Sequence, residues 1–382
     1  MRILQVIPRF NPILGGGVNV VYNISKELVK RGHQVTIATT KCNFDGNTRN
    51  EITRFGIEVL PFDYLFDLHL FIPSPSMDKW LQKNIRNFDI IHMHGARSYQ
   101  NNLISKYAKK YNVPYVLQPH GSIQRIIDIK LLKLMYDFIY GNTILFSSSR
   151  IIALHRLEVE QIKNRGVDED QIDIIPNGVD LLEFSNLPPG GQFKNKYKIN
   201  NKKMILFLGR IHKIKGLNLL IKAFGDLIND FEDIVLVIAG PDDGFLKSVQ
   251  KQVASTGLGS KIIFTGPLYG NEKLEAYVDS DVYVLPSIYE TFPLTIMEAC
   301  ACGIPIVTTT RCGISDIVNN KVGYSTEYNK DQLRQALVEI LTDHNLRETF
   351  GEEGRRLVKD QFNWAKIADK LENTYQIAIN NG

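Results

Sequence analysis

The feature that most limits what this chain can fold into is a rhythm that runs through it twice. RILQVI, QVTIAT, DIIHMHG, PYVLQPHG, RIIAL and IDIIPNGVD read as strands, separated by helices over VVYNISKELVKRG, QNNLISKYAKKY and around EVEQIKNRG. Strands that are apolar nearly throughout, rather than at every second residue, need cover on both faces, and helices joining parallel strands supply it. Between Leu181 and Lys203 the rhythm dissolves into LLEFSNLPPGGQFKNKYKINNKK, whose paired prolines, paired glycines and Lys/Asn clusters mark a boundary. It then restarts with MILFLG, DIVLVIAG, KIIFTG, DVYVLPS and PIVTT, again with helices between. A chain of 382 residues is long for one hydrophobic core. The expected class is therefore α/β, with two doubly wound domains over residues 1–185 and 186–362. A closing helix in residues 363–382 has no strand after it and is expected to cross back to the first domain. Ligands of open parallel sheets bind beyond the strand C-termini, and every motif below follows a strand, so all are expected at one cleft between the domains.

Composition narrows the class. Hydrophobic residues make up 44% and charged residues 23%, a soluble globular balance. The opening MRILQVIPRFNP lacks the apolar core of a signal peptide, and no run of about 18 apolar residues occurs, so a cytoplasmic protein is expected. Cys42, Cys300, Cys302 and Cys312 are too few for a disulfide framework, and the Cys-x-Cys pair lacks the partners of a zinc site. They are expected to be reduced packing residues. The net charge of +4 falls in residues 1–190, which fits a phosphate-bearing acceptor or an anionic membrane surface, and equally a solvated face. No dense basic tract with interleaved aromatics is present, so no nucleic-acid partner is expected.

Three stretches carry candidate chemistry. In LGRIHKIKGL, Arg210 follows a strand and Lys215 precedes a helix opening near Gly216, a pair of cations suited to a diphosphate. Gly209 and Gly216 flank them and let backbone approach a ligand. In NPILGGGVNVV, Gly15, Gly16 and Gly17 lie between the first strand and the first helix, where their amides meet a phosphate or sugar or simply form a turn. Val20 stands where the third glycine of a G-x-G-x-x-G fingerprint belongs, and TIATTK ends the second strand without an acid, which disfavours a nicotinamide dinucleotide. In PSIYETFPLTIMEACACGIPIV, Pro293 suits a first helical position, so Glu290 is placed on the loop and Glu298 inside the helix. The order carboxylate, helix amides, carboxylate matches sugar hydroxyls, diphosphate and ribose hydroxyls in a nucleotide sugar.

Taken together, GRIHKIKG, the Glu290/Glu298 spacing and EACACGIPIV resemble the glycosyltransferase family 4 pattern on the GT-B fold of two Rossmann-like domains. The glycine loop, DIIHMHG, QPHG and IPNGVD occur in the family's order, so the resemblance covers nearly the whole chain. It implies retaining transfer of a hexosyl or N-acetylhexosaminyl group from a nucleotide sugar, with no metal and no other cofactor. Arg210 and Lys215 would stabilise the leaving diphosphate, Glu298 would hold the ribose hydroxyls, and Glu290 would face the donor sugar. Backbone around Thr291, Phe292 and Leu294 would line the pocket, with Gly16 and Gly17 closing on it from the first domain. The matching histidine, His120 in LQPHGS, would lie beside the transfer centre. The loop FTGPLYG, with Leu268, would cradle the base, for which uridine is the choice. Domain closure is expected to join the His120 side to the Glu290 side.

His92 and His94 in IIHMHG are expected to point to opposite strand faces, which argues against a metal pair. His94 is read as structural, with acceptor binding as the alternative. The triplets Asp168–Asp170 and Asp279–Asp281 match a metal-binding Asp-x-Asp string and are read as structural. The expected acceptor is a saccharide or lipid-linked saccharide, in polysaccharide or glycan synthesis. IQRIIDIKLLKLMYDFIY is basic and aromatic enough to touch the inner face of the cytoplasmic membrane, or is a buried helix with charged edges. The competing reading from another class is a catalytically inactive nucleotide-sugar-binding scaffold.

Overall fold

The computed structural model describes residues 1–11, 16–44, 46–68, 71–123 and 130–381. The chain forms two compact units, Met1–Gly178 with Trp364–Gly382, and Val179–Asn363. In the first, seven strands run β1 (Arg2–Val6), β2 (Gln34–Thr40), β3 (Glu58–Phe62), β4 (Ile90–His94), β5 (Tyr115–Gln118), β6 (Arg150–Ala153) and β7 (Ile172–Ile174). They pair in the order β3-β2-β1-β4-β5-β6-β7, all parallel. The second unit holds β8 (Lys203–Leu208), β9 (Ile234–Ala239), β10 (Ile262–Gly266), β11 (Val282–Leu285), β12 (Ile306–Thr309) and β13 (Gly323–Thr326). Their order, β10-β9-β8-β11-β12-β13, repeats the first pattern. Both are Rossmann-like windings, whose strand order reverses once, between β1 and β4 and between β8 and β11.

The central strands are the ones the apolar rhythm marks, and they are buried along their length, β4 and β9 at every residue. The rhythm misses β3 and β13, and both are edge strands. β3 carries Pro61, which an edge tolerates because one side of the strand needs no ladder donor. β13, GYST, is half polar because an edge is covered less completely.

The helix Trp364–Asn380 belongs to the first unit. Arg31 holds it by donating to Asp369 at 2.8 Å and Glu372 at 2.6 Å, and Tyr375 is fully buried in that unit. The boundary at 185/186 suggested by composition falls inside the second unit. Residues 179–202, although they contain no strand, are tied there: Phe193 is fully buried and Lys194 N donates to Asp279 at 2.8 Å. All four cysteines are buried, and none forms a disulfide. Among the described residues no helix is long and apolar enough to cross a membrane.

Candidate functional site

In the second unit, the chain leaves β8 and β11 side by side at the point where the winding reverses, so two loops face each other there. The first runs through Gly209 and Arg210 to the 3-10 turn Lys213–Lys215 and Gly216; the second runs through residues 286–293 into the helix Leu294–Cys302. A backbone bond joins them, Ile288 N donating to Ile214 O at 2.8 Å, and Gly313 N, on the loop after β12, braces the second by donating to Glu290 O at 2.9 Å. Gly216 has φ 72°, and a Cβ there would lie 1.9 Å from Pro286 O, so only glycine lets these loops meet. At Gly209 a Cβ would make only an ordinary 3.7 Å contact with Phe207, so packing does not demand the glycine there.

Lys215 and Glu290, 75 positions apart, form a direct ion pair, and both side chains are largely buried. Arg210 lies on the same loop as Lys215 but is exposed, with Nη1 2.6 Å from Asp243. Glu298 sits within the helix, its carboxylate accepting from Lys273 at 3.2 Å and from Tyr277 OH at 3.0 Å. Burial pushes its pKa up, against the opposing pull of Lys273. The helix begins one residue later than the proline suggests. Pro293 is the N-cap, with ψ 113°, because proline fixes φ but leaves ψ free to stay extended. No side chain caps this end: Ile296 N turns back to Pro293 O at 3.2 Å, and the positive pole of the helix is left to an anion. Phe292 is buried and packs on Phe362 at 5.7 Å between ring centroids, which leaves its backbone to offer a ligand. Thr291 is half-buried beside it, Leu294 opens the helix, and Leu268 is buried just beyond β10.

Lys273 and Tyr277 escaped the sequence reading, although their spacing on the helix Gly270–Val278 puts both on one face. Tyr283, whose OH lies 2.9 Å from Leu208 O and 2.7 Å from Thr295 Oγ1, ties β11 to the first turn of the helix.

The first unit gathers a second set. Gly16, at φ 56°, caps the helix Gly17–Lys30, and a Cβ on Gly17 would lie 3.8 Å from the His120 ring. Gly15 lies outside the described residues. His120 adopts φ 53°, a left-handed conformation that few residues besides glycine, asparagine, aspartate and histidine visit. Glu158 holds the turn: its carboxylate accepts from Gly121 N at 2.6 Å and from Leu154 N at 2.8 Å, joining the ends of β5 and β6. His120 Nε2 meets His94 Nδ1 at 2.9 Å.

The expectation for His92 and His94 is overturned. Their rings lie 4.0 Å apart on one face of β4, because residues two apart on a strand share a face. Burial lowers the pKa of His92 to about 3, of His120 to about 4, and of His94 well below the usual imidazole value. Asp279 and Asp281 accept from backbone amides, at 2.8 Å from Lys194 N and 2.8 Å from Met204 N, which is structural use. Asp168 opens the 3-10 turn Glu169–Gln171. Among the described residues no group of three or more His, Cys, Asp and Glu side chains is arranged to hold a metal ion.

Residues 191–357 match the family model described as glycosyl transferases group 1, and residues 14–182 match that of glycosyltransferase family 4. The UDP-Gal:alpha-D-GlcNAc-diphosphoundecaprenol alpha-1,3-galactosyltransferase of Escherichia coli is 30% identical over 78% of each chain. The chain belongs to glycosyltransferase family 4. Another relative of this family 4 enzyme, a glycosyltransferase of Methanocaldococcus jannaschii, is 26% identical over 99% of both chains. Its fold is that of Anabaena HepE, solved with UDP and glucose, at a TM-score of 0.80 over 98% of this chain and 99% of that one, with 17% identity. The family 4 glycosyltransferase thus has the GT-B architecture of two Rossmann-like units.

Proposed function

We propose that this glycosyltransferase moves a sugar, with retention of anomeric configuration, from a uridine diphosphate sugar to a hydroxyl of a lipid-linked or growing saccharide. The observation that carries the reading is the pairing of an uncapped helix end with two cations at the point where the second sheet reverses. An ammonium has three donors; Lys215 gives one to Glu290 and keeps others for a phosphate. Arg210, on the exposed side of the same loop, adds a planar fork. Glu298 keeps lone pairs for the ribose hydroxyls, and Glu290 is the carboxylate beside the donor sugar. The bond between the anomeric carbon and the diphosphate oxygen breaks, and the acceptor oxygen bonds to that carbon on the same face. The acceptor proton passes to the departing phosphate. Arg210, Lys215 and the helix amides neutralise the charge that develops, so the reaction is proposed to need no metal. The name of the Escherichia coli relative, which pairs UDP-Gal with a diphosphoundecaprenol-linked sugar, supports both the base and a lipid-linked acceptor.

A peripheral contact with an anionic membrane belongs to the same reading. In the first unit Phe138 is 83% and Leu131 69% exposed, with Leu132, Leu134, Met135 and Ile139 exposed around them. Beside them a groove of about 430 Å³ is lined by Phe71, Leu103, Ile139 and Ile144, with Lys106 and Lys109 also in its wall. Residues 124–129 of the stretch that suggested this contact lie outside the described residues. Cosedimentation with phosphatidylglycerol vesicles, and not with phosphatidylcholine vesicles, is expected.

Thermal-shift titration with UDP-, GDP- and ADP-sugars tests the donor, because a ligand that binds the native state raises its stability. The UDP-sugar is expected to give the largest shift. Incubation with labelled donor and a diphospholipid-linked sugar is expected to yield a labelled product undiminished by EDTA. Donor binding with no product would favour the non-catalytic scaffold instead.

A further inference from the structure

Three buried histidines of the first unit, His92, His94 and His120, form one hydrogen-bonded chain with Gln5 and Tyr375. His94 Nε2 lies 2.6 Å from Gln5 Oε1, and Gln5 Nε2 lies 3.5 Å from Tyr375 OH. Tyr375 OH lies 2.7 Å from His92 Nδ1. A carboxamide oxygen only accepts, so the single proton of neutral His94 must sit on Nε2. His94 Nδ1 is then a lone pair, and the group it meets at 2.9 Å, His120 Nε2, must be the donor.

The far end fixes the same direction. Tyr375 OH, receiving from Gln5, donates to His92 Nδ1, which places the His92 proton on Nε2. That atom is buried with no partner at hydrogen-bond distance among the described residues. So is Gln118 Oε1, an acceptor on the neighbouring strand β5. The Gln118 carboxamide favours a proton on His92 against the effect of burial, as an acceptor facing Nε2 would. Running the chain in reverse would turn two acceptors toward each other there.

We propose that Gln5, His94 and Tyr375 are positioning residues that hold the one proton of His120 on Nε2 and leave Nδ1 as a bare acceptor for a hydroxyl of the sugar or of the acceptor. Nδ1 has no hydrogen-bond partner among the described residues. Glu158 fixes the backbone of the same turn through Gly121, so ring and main chain are held independently. What Nδ1 contacts rests on the glycosyl-transfer reading; the tautomer does not.

Nitrogen NMR of histidine-labelled protein reads the tautomer without substrate, with the His120 signals assigned by their loss in His120→Asn. Wild type is expected to show Nδ1 of His120 in the pyridine-type range and Nε2 in the pyrrole-type range. Gln5→Glu, whose carboxylate still accepts from His94, is expected to keep that pattern. Gln5→Leu is expected to bring the two shifts together and to lower kcat several-fold with KM unchanged. A pyrrole-type Nδ1 in wild type, or a Gln5→Leu spectrum identical to wild type, overturns the proposal. If Gln5→Leu does not fold, the wild-type and Gln5→Glu spectra still decide. A protein inactive with every donor but showing the expected shifts would count against the transfer reading alone.

Discussion

Arg210 and Glu298 are both candidate donor ligands, yet their surroundings predict different mutant behaviour. Arg210 is an exposed partner of Asp243, and such surface pairs add about 0–1 kcal/mol of stability. Arg210→Ala is therefore expected to melt close to wild type while its kcat/KM for transfer falls about 10²-fold, the loss typical of one preorganised charge-stabilising donor. Glu298 is buried against Lys273 and Tyr277, so Glu298→Ala leaves a largely buried ammonium with Glu183 alone, at 2.8 Å, and a buried phenol short of a partner, and is expected to lower both melting temperature and activity. Glu298→Gln separates the effects: it keeps the shape and one acceptor, and its donor-induced thermal shift should shrink more than its melting temperature. Wild-type turnover in Arg210→Ala would refute the assigned role. The residues in these tests were legible because charged groups after strands stand out from an apolar background. Their pairing was not: nothing local ties Lys215 to Glu290 across 75 positions. Gln5 did leave a trace, a lone polar residue in the buried run ILQV, but a carboxamide names no partner.

The helix Leu294–Cys302 carries the open amide end and Glu298, and its position depends on how closely another helix packs behind it. Gly351 and Gly354, on the helix His344–Gln361, lie against Gly303 and Cys300. A Cβ on Gly351 would stand 2.3 Å from Gly303 O, and one on Gly354 would stand 3.2 Å from Cys300 Cα. Alanine normally stabilises a helix over glycine by about 1 kcal/mol. Here the clash is with main chain, which cannot swing aside, and overpacking of this kind costs about 1–3 kcal/mol. The clash wins, so Gly351→Ala is expected to lower the melting temperature and, by displacing the site helix, to weaken UDP-sugar binding in a calorimetric titration. Unchanged donor affinity would show that the helix end does not set the site. At this scale the sequence was readable wherever burial is complete. It failed at β3 and β13, whose edge positions permit Pro61 and a polar GYST, and at the helix start, where Pro293 caps rather than begins the helix.

Across the whole molecule, buried titratable groups are unevenly divided, and this makes the first unit the more sensitive of the two to mild acid. His92, His94, His120 and His155 all lie in the first unit, and burial holds each below the ordinary imidazole value of 6.5, to about 3, well below, about 4 and about 4. Below pH 6.5 the unfolded chain binds protons there that the native unit refuses. Stability therefore rises with pH across that range and is lost as the pH falls. Glu158 acts the other way: burial raises it to about 7, so between its ordinary 4.5 and that value the native state keeps a proton the unfolded chain releases. One such group opposes four histidines, and the histidines prevail. In the second unit Glu298, also raised by burial, favours the native state as the pH falls toward 4.5. Both tryptophans, Trp80 and Trp364, belong to the first unit, so their fluorescence follows that unit while far-ultraviolet circular dichroism follows both. Urea titrations at pH 6.5 and 4.5 are expected to show the fluorescence midpoint falling more than the dichroism midpoint. His155→Phe, which removes a ring whose two nitrogens are buried without partners among the described residues, should narrow the gap. Midpoints that fall together, or a fluorescence midpoint that rises in acid, would mean that these imidazoles gain protons without unfolding the sheet that encloses them.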